Sequence, residues 1–126
     1  MDKYEIVGSF SERVVSLLQL DVAAGTPILL STETRRHFTD GHADAFGPYG
    51  HLIGKVITHA DLCGVRPTDG TVEFVKLLPD NSALCLNLAV RPSSKQEYFV
   101  RTLHLCRIKR IEQYERRGRL FRLTDQ

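Results

Sequence analysis

The chain has 126 residues, of which 42% are hydrophobic and 25% are charged, and its formal net charge is +2. This length fits a single domain with its own hydrophobic core and is too short for two. No run approaches the roughly 20 apolar residues that a transmembrane helix needs, and the acidic start MDKYE does not read as a secretory signal. Three cysteines without close spacing fit a reducing compartment, so we expect a cytoplasmic protein with no membrane partner.

The charge is unevenly distributed along the chain. Residues 1–90 carry 7 Lys and Arg against 11 Asp and Glu, whereas residues 91–126 carry 10 against 4. A basic end of this kind indicates an anionic partner such as nucleic acid. A solvated basic helix face explains the same charges equally well, so charge alone leaves both interpretations open.

The first half of the chain predicts helices around one brief strand. Apolar residues at helical spacing, serine caps and a first-turn proline predict three helices, over residues 11–21, 31–40 and 48–59. The apolar run at 28–30 predicts a short buried strand just before the second helix. Residues 4–10 fit either a short strand or an irregular lead-in.

The second half changes to a period of two. Alternating apolar residues and polar turns predict three strands, over residues 71–77, 83–90 and 97–105. A helix over 107–117 and a last short strand over 120–123 follow. Because the turns between the strands are short, we expect an antiparallel meander. The predicted fold is α+β, with N-terminal helices packed on a small antiparallel sheet and a further helix near the C-terminus.

The side chains best suited to catalysis are concentrated in and just after the second predicted helix. His37 and His42 lie beside Arg35 and Arg36, and histidine with arginine suits acid–base chemistry on an anionic substrate. A spacing of five does not place the two histidines on one helix face, so they converge only if the helix ends between them, at Gly41. The alternatives are that His37 is a surface residue and that His42 is a loop residue bonded to the helix end.

Three features resemble the Barnase–EndoU–colicin–RelE (BECR) nuclease superfamily, in particular its phage-associated branch. They are a serine-capped helix with a His-x4-His element, an alternating strand pair, and a strand reading FVRT followed by a basic segment and RGRLF. These correspond to residues 31–42, to 72–77 with 84–90, and to 99–121. The resemblance covers about residues 26–123 of a single domain, 1–126, with residues 1–25 as a helical lead-in. Branch members often read Arg-His-Pro at the second histidine, where this chain has Gly-His-Ala.

The resemblance implies a metal-independent endoribonuclease. In such enzymes a base activates the ribose 2′-hydroxyl, which attacks the adjacent phosphate, and an acid protonates the leaving 5′-oxygen. RNA supplies the nucleophile, so no cofactor is implied. A phage-associated nuclease of this kind is expected to be a toxin, with RNA as its substrate and an inhibitor or immunity protein as a further partner.

The resemblance also suggests where each role falls. Either histidine of the second helix serves as acid or base, while Arg101 and Thr102 hold the phosphate. On a strand, His104 and Tyr98 share a face with Thr102, since they lie two and four residues away. The candidate catalytic residues are His37, His42, Arg101, Thr102 and His104, and the candidate substrate-binding residues are Arg36, Tyr98, Lys109 and Arg110. Alternatively, Arg101 is a surface residue and His104 belongs to the sheet core.

Two alternative interpretations of the function follow from the same residues. A zinc site using His59 and Cys63 is disfavoured because paired ligands at tight spacing are absent, so no metal is predicted. Motifs for nucleotide binding and for serine hydrolysis are absent from the sequence as well. The second reading is a catalytically silent nucleic-acid-binding or protein-interaction domain with the same fold.

Overall fold

The computed structural model describes residues 3–41, 50–78, 84–93 and 95–123. Its strands are β1 (Tyr4–Ser9), β2 (Pro27–Ser31), β3 (Leu62–Val65), β4 (Val72–Leu77), β5 (Leu84–Pro92), β6 (Tyr98–Arg107) and β7 (Phe121–Arg122). Its helices are α1 (Glu12–Leu18), α2 (Thr32–Gly41), α3 (Ile53–Thr58, after the 3-10 turn Gly50–Leu52) and α4 (Ile108–Arg116). Within these ranges, no helix has the length and apolar character needed to cross a bilayer.

The strands form one seven-stranded mixed sheet in the order β1-β2-β6-β5-β4-β3-β7. Strand β2 runs parallel to β6, and every other neighbouring pair is antiparallel. The predicted architecture, N-terminal helices packed on a small antiparallel meander, is therefore wrong. The β4–β5–β6 meander is only the centre of a larger sheet, which β1 and β2 extend on one side and β3 and β7 on the other.

Of the strands outside the meander, β2 and β7 were predicted, β1 was left open between a strand and an irregular lead-in, and β3 was missed. Strand β3 is only four residues long and mostly buried, so it shows too little periodicity to be recognised. Strand β1 lies at the sheet edge and is largely exposed, so it lacks the alternation of a half-buried strand. Its pairing with β2 depends on tertiary contacts that a local pattern does not encode.

The main core lies between one face of the sheet and the helices α1 and α3. From the helical side come Val14 and Leu18 of α1 and Val56 of α3, all buried. They meet the alternate residues Leu86 and Leu88 of β5, which are fully buried. A smaller core lies on the opposite face, beneath α4.

The starts of α1 and α2 follow the predicted serine capping, and their ends differ slightly from the prediction. Helix α3 begins at Ile53, and the proline predicted for its first turn, Pro48, lies outside the described residues. Ser11 accepts a hydrogen bond from the Val14 amide at the start of α1, and Ser31 accepts one from the Thr34 amide in α2. Helix α1 ends at Leu18 rather than near residue 21 because Gln19 adopts a left-handed backbone conformation. Helix α2 includes Gly41, which was expected to follow it.

Candidate active site

The central strands β4, β5 and β6 have two faces with different chemistry. One, here called the core face, packs under α1 and α3; the other is here called the site face. Two rows of residues cross the site face, Glu73–Ala89–Thr102 and Val75–Asn87–His104. Residues directly opposite one another on antiparallel strands point to the same side, with Cβ atoms about 4.5–5.5 Å apart. Four polar side chains from three strands therefore lie together.

Helix α4 covers only part of the site face. Ile111 of the helix packs with Val75 and Cys85, both fully buried, in the smaller core. Beside this covered part, Thr102 is half-buried and His104 is exposed. The polar side chains of the two rows thus range from a buried carboxylate on β4, in the first row, to an exposed imidazole on β6, in the second.

The buried carboxylate belongs to Glu73, whose side chain is only 5% exposed. Arg119 donates a hydrogen bond to its Oε1 across 3.0 Å, and the Asn87 amide donates to its Oε2 across 3.3 Å. The Arg66 guanidinium lies 3.9 Å from Oε2. These four residues are here called the Glu73 cluster. One carboxylate between two guanidinium groups leaves the cluster with a net charge of +1.

Two features hold Arg119 at this carboxylate. Its guanidinium carbon lies 4.2 Å from the centre of the Tyr114 ring, a cation–π contact. Its backbone carbonyl passes so close to Gly64 on β3 that a Cβ there has no room. Because Gly64 pairs with Glu73 in the sheet, the missing side chain lets the segment after α4 approach the carboxylate.

The structure puts Thr102 and His104 on one face, as predicted. Their partners on β5, Ala89 and Asn87, are likewise two residues apart, and the register between these pairs is unbroken. His104 therefore belongs to the site face and is exposed there, not part of the sheet core.

The prediction that Tyr98 shares this face is wrong. The register of β5 and β6 shifts between Ala89, which pairs with Thr102, and Val90, which pairs with Val100, so Arg101 is an extra residue at a β-bulge. A bulge reverses the alternation of the side chains on either side of it. Tyr98 consequently lies on the core face, where its ring packs edge-on against Phe10 at 4.8 Å. Arg101 itself is exposed.

The helix with the predicted acid–base residues is next to these strands. Helix α2 contacts both β2 and β6. Arg35 forms an ion pair with Glu5 of β1, and Arg36 is exposed. The backbone of His37 belongs to α2, and its side chain is outside the described structure, as is the whole of His42.

The basic candidates Lys109 and Arg110 occupy the exposed first turn of α4. Arg110 is close enough to Cys106 to act on that thiol electrostatically. Burial raises the pKa of Cys106, whereas a hydrogen bond from Asn87 and the positive charge of Arg110 lower it. The Cys106 thiol and the Asn87 amide are thus in contact at the border between α4 and the site face.

The sequence reasoning missed the Glu73 cluster. A usable signal existed for Glu73 and Asn87, since each is a polar residue inside a buried strand, and buried polar groups need partners. No local pattern marks Arg66 and Arg119, which come from loops at the ends of β3 and α4. In the described part of the chain, no three His, Cys, Asp or Glu side chains group as metal ligands.

Comparison with known proteins adds one finding. The sequence model of a family described as phage-Barnase-EndoU-ColicinE5/D-RelE like nuclease 3 matches residues 5–113. The match includes β1 and α1, which the resemblance had left in the lead-in. No curated protein and no solved structure matches the chain significantly.

Proposed function

The chain belongs to the phage-Barnase-EndoU-ColicinE5/D-RelE like nuclease 3 family, and from this premise we propose that it is a metal-independent endoribonuclease that acts as a toxin. It cleaves RNA by attack of a ribose 2′-hydroxyl on the adjacent phosphate. The nuclease class comes from the family; the substrate, the mechanism and the toxic role are proposed.

One observation carries the mechanism: Thr102 and His104 share the site face with the Glu73 cluster. An imidazole that titrates near neutral pH can transfer the proton of the 2′-hydroxyl or of the leaving oxygen. The net positive charge of the cluster favours the phosphate, whose negative charge grows in the transition state. The Thr102 hydroxyl donates a hydrogen bond to the same phosphate.

Cleavage needs a second proton-transfer group, and we assign it to His37 or His42. Support comes from the contact between α2 and β6, which makes the helix a neighbour of the strand with His104. Four exposed cations bind the flanking phosphates in this proposal: Arg36, Arg101 and, in the first turn of α4, Lys109 and Arg110. An immunity protein that blocks such a surface is expected to be acidic.

The test is cleavage of 5′-labelled RNA in EDTA by the purified protein. We expect wild type to cut and to leave a 2′,3′-cyclic phosphate, and a substrate with 2′-deoxyribose at the cut position to resist. His104→Ala should lower the rate at least about 100-fold, the range of general acid–base catalysis. Thr102→Val should lower it roughly tenfold, the lower range for a hydrogen bond to a charged group. His37→Ala and His42→Ala identify the second group.

His59→Ala is the matched control, because His59 is an exposed histidine at the end of α3, the helix that covers the other face. It should cut at the wild-type rate. A folded wild-type protein that binds RNA without cutting it contradicts the proposal and favours the silent binding domain. Cleavage that EDTA abolishes contradicts metal independence.

A further inference from the structure

The side-chain amide of Asn87 has a hydrogen-bond partner at its nitrogen and none at its oxygen among the described residues. Its nitrogen donates to Glu73 across 3.3 Å, and the residue is only 3% exposed. Its oxygen Oδ1 is buried and has no hydrogen-bond partner among the described residues. A buried acceptor without a partner is costly, by more than the ordinary value of a hydrogen bond.

The orientation of this amide follows from its partner. A carboxylate only accepts hydrogen bonds, so the NH2 group must face Glu73. A flipped amide would bring its oxygen against a buried, negatively charged oxygen. The open end is therefore Oδ1, an acceptor, and the partner that completes it must be a donor.

His104 is the residue directly across from Asn87 on β6. Opposite side chains on antiparallel strands start from Cβ atoms about 5 Å apart, so an imidazole N–H reaches an opposing amide oxygen by rotation of side chains alone. His104 carries at least one N–H in either protonation state.

We propose that Asn87 is a positioning residue for His104: its Oδ1 accepts a hydrogen bond from one imidazole nitrogen, and Glu73 fixes the amide that does so. The other imidazole nitrogen is then directed to the open side of the site face. In the neutral ring this nitrogen is the proton acceptor, and in the charged ring it is the donor. The catalytic consequence rests on the proposed function, whereas the hydrogen bond itself does not.

Other charges act on His104, and the test must hold them constant. Glu73 on β4, Arg66 after β3, Arg119 after α4 and Arg110 on α4 surround the site face with mixed charge. Cys106 is two residues along β6. Asn87→Leu keeps the side-chain volume and adds no charge, so it removes the acceptor and leaves the charges of these groups in place, while Glu73 and Cys106 also lose the hydrogen bond from the amide nitrogen. Asn87→Asp places a carboxyl group against the buried Glu73 carboxylate, so we expect the two to share one proton. The protonated oxygen then replaces the donor to Glu73, and the other oxygen keeps the acceptor for His104.

The experiment is ¹H–¹⁵N NMR of the imidazole rings over a pH titration, with wild type and the two variants. One net hydrogen bond changes the tautomer ratio roughly three- to tenfold, so in Asn87→Leu we expect the His104 ratio to shift by that factor and its pKa to fall. In Asn87→Asp, which keeps the acceptor, the tautomer ratio and the pKa of His104 should stay closer to those of wild type than in Asn87→Leu. His59, on the other side of the sheet, is the internal reference and should not move.

Cleavage assays then link the bond to catalysis. Asn87→Leu should reduce kcat about tenfold, with its pH profile displaced in the direction of the NMR shift, and Asn87→Asp, which keeps the acceptor, should recover most of that activity. An unchanged tautomer ratio and pKa of His104 in folded Asn87→Leu overturns the proposal. If that variant does not fold, Asn87→Ser, which withdraws the acceptor to a shorter side chain, decides by the same readout. Inactive wild type with a shifted His104 titration overturns the proposed function and leaves the positioning intact.

Discussion

Neutralising the buried carboxylate is the sharpest test of the Glu73 cluster. Glu73→Gln keeps the size of the side chain and one acceptor for Asn87, and it removes the negative charge between Arg66 and Arg119. A hydrogen bond to a charged partner contributes about 1.5–3 kcal/mol, and breaking a fully buried ion pair costs about 3–5 kcal/mol. Arg119 is 34% exposed, and solvent screening reduces the effect. We expect a loss of about 2 kcal/mol in the free energy of unfolding.

The pair formed by Glu115 and Arg122 provides a matched control. Its atoms are 2.9 Å apart, as close as in the buried pair, but both side chains are about one-third exposed. Glu115→Gln should therefore cost less than about 1 kcal/mol. Both pairs join a carboxylate to a guanidinium at similar distance and differ in burial. The exposed pair has two hydrogen bonds, at 2.9 and 3.2 Å, where one is seen between Glu73 and Arg119, so a weaker exposed pair points to burial as the cause.

Urea unfolding at pH 7, followed by circular dichroism, measures both effects. For a urea dependence of roughly 2 kcal/mol per molar, Glu73→Gln lowers the midpoint by about 1 M without changing the slope. A double-mutant cycle with Arg119→Gln isolates the pairwise term. A coupling energy no larger than that of the Glu115–Arg122 pair would refute the view that burial makes the Glu73 contacts strong.

Two further predictions concern packing and pH. Gly64→Ala should destabilise the protein by about 1–3 kcal/mol, because its new Cβ meets the Arg119 carbonyl and the side chain of Leu120; urea unfolding checks it, and a neutral substitution contradicts the close approach. Burial raises the pKa of the Cys63 and Cys85 thiols from about 9 to about 12, so above pH 9 the unfolded chain loses these protons first. Stability should fall between pH 9 and 12 by up to about 1.4 kcal/mol per thiol and pH unit, and Cys63→Ala should reduce that slope; an unchanged slope contradicts the assignment.

The period of two predicted the central strands well, because each is long enough to show alternating apolar and polar residues. Strand β6 was predicted over residues 97–105 and runs from Tyr98 to Arg107, and the shared face of Thr102 and His104 followed from a spacing of two. The same rule failed for Tyr98 because the bulge at Arg101 is a property of the pairing with β5. A strand with one extra residue looks like any other strand until its partner is known.

The residues of the candidate site likewise include some that a local sequence pattern predicts and some that depend on the pairing of strands. His104 was accessible to sequence reasoning because its own residue type suggests acid–base chemistry. Arg119 could not be predicted in this way. Its role depends on the hydrogen bond to Glu73, which lies 46 residues earlier in the chain, and only the sheet brings the two residues together. Predicting it required the β3–β4 pairing and the close approach at Gly64, and both are tertiary features.

The distribution of polar residues on the site face favours a functional explanation of the Glu73 cluster. Under α4 the same face carries Val75 and Cys85, which pack against Ile111 of the helix. Apolar packing is therefore possible on these strands. A buried ion pair is often no more stabilising than well-packed apolar residues of similar volume. Stability alone therefore does not account for a carboxylate, an amide and two guanidinium groups where the helix stops covering the sheet. An arrangement that breaks the local packing rule and is no more stabilising than apolar packing would be is expected at a functional site, and this one adjoins the exposed imidazole of His104.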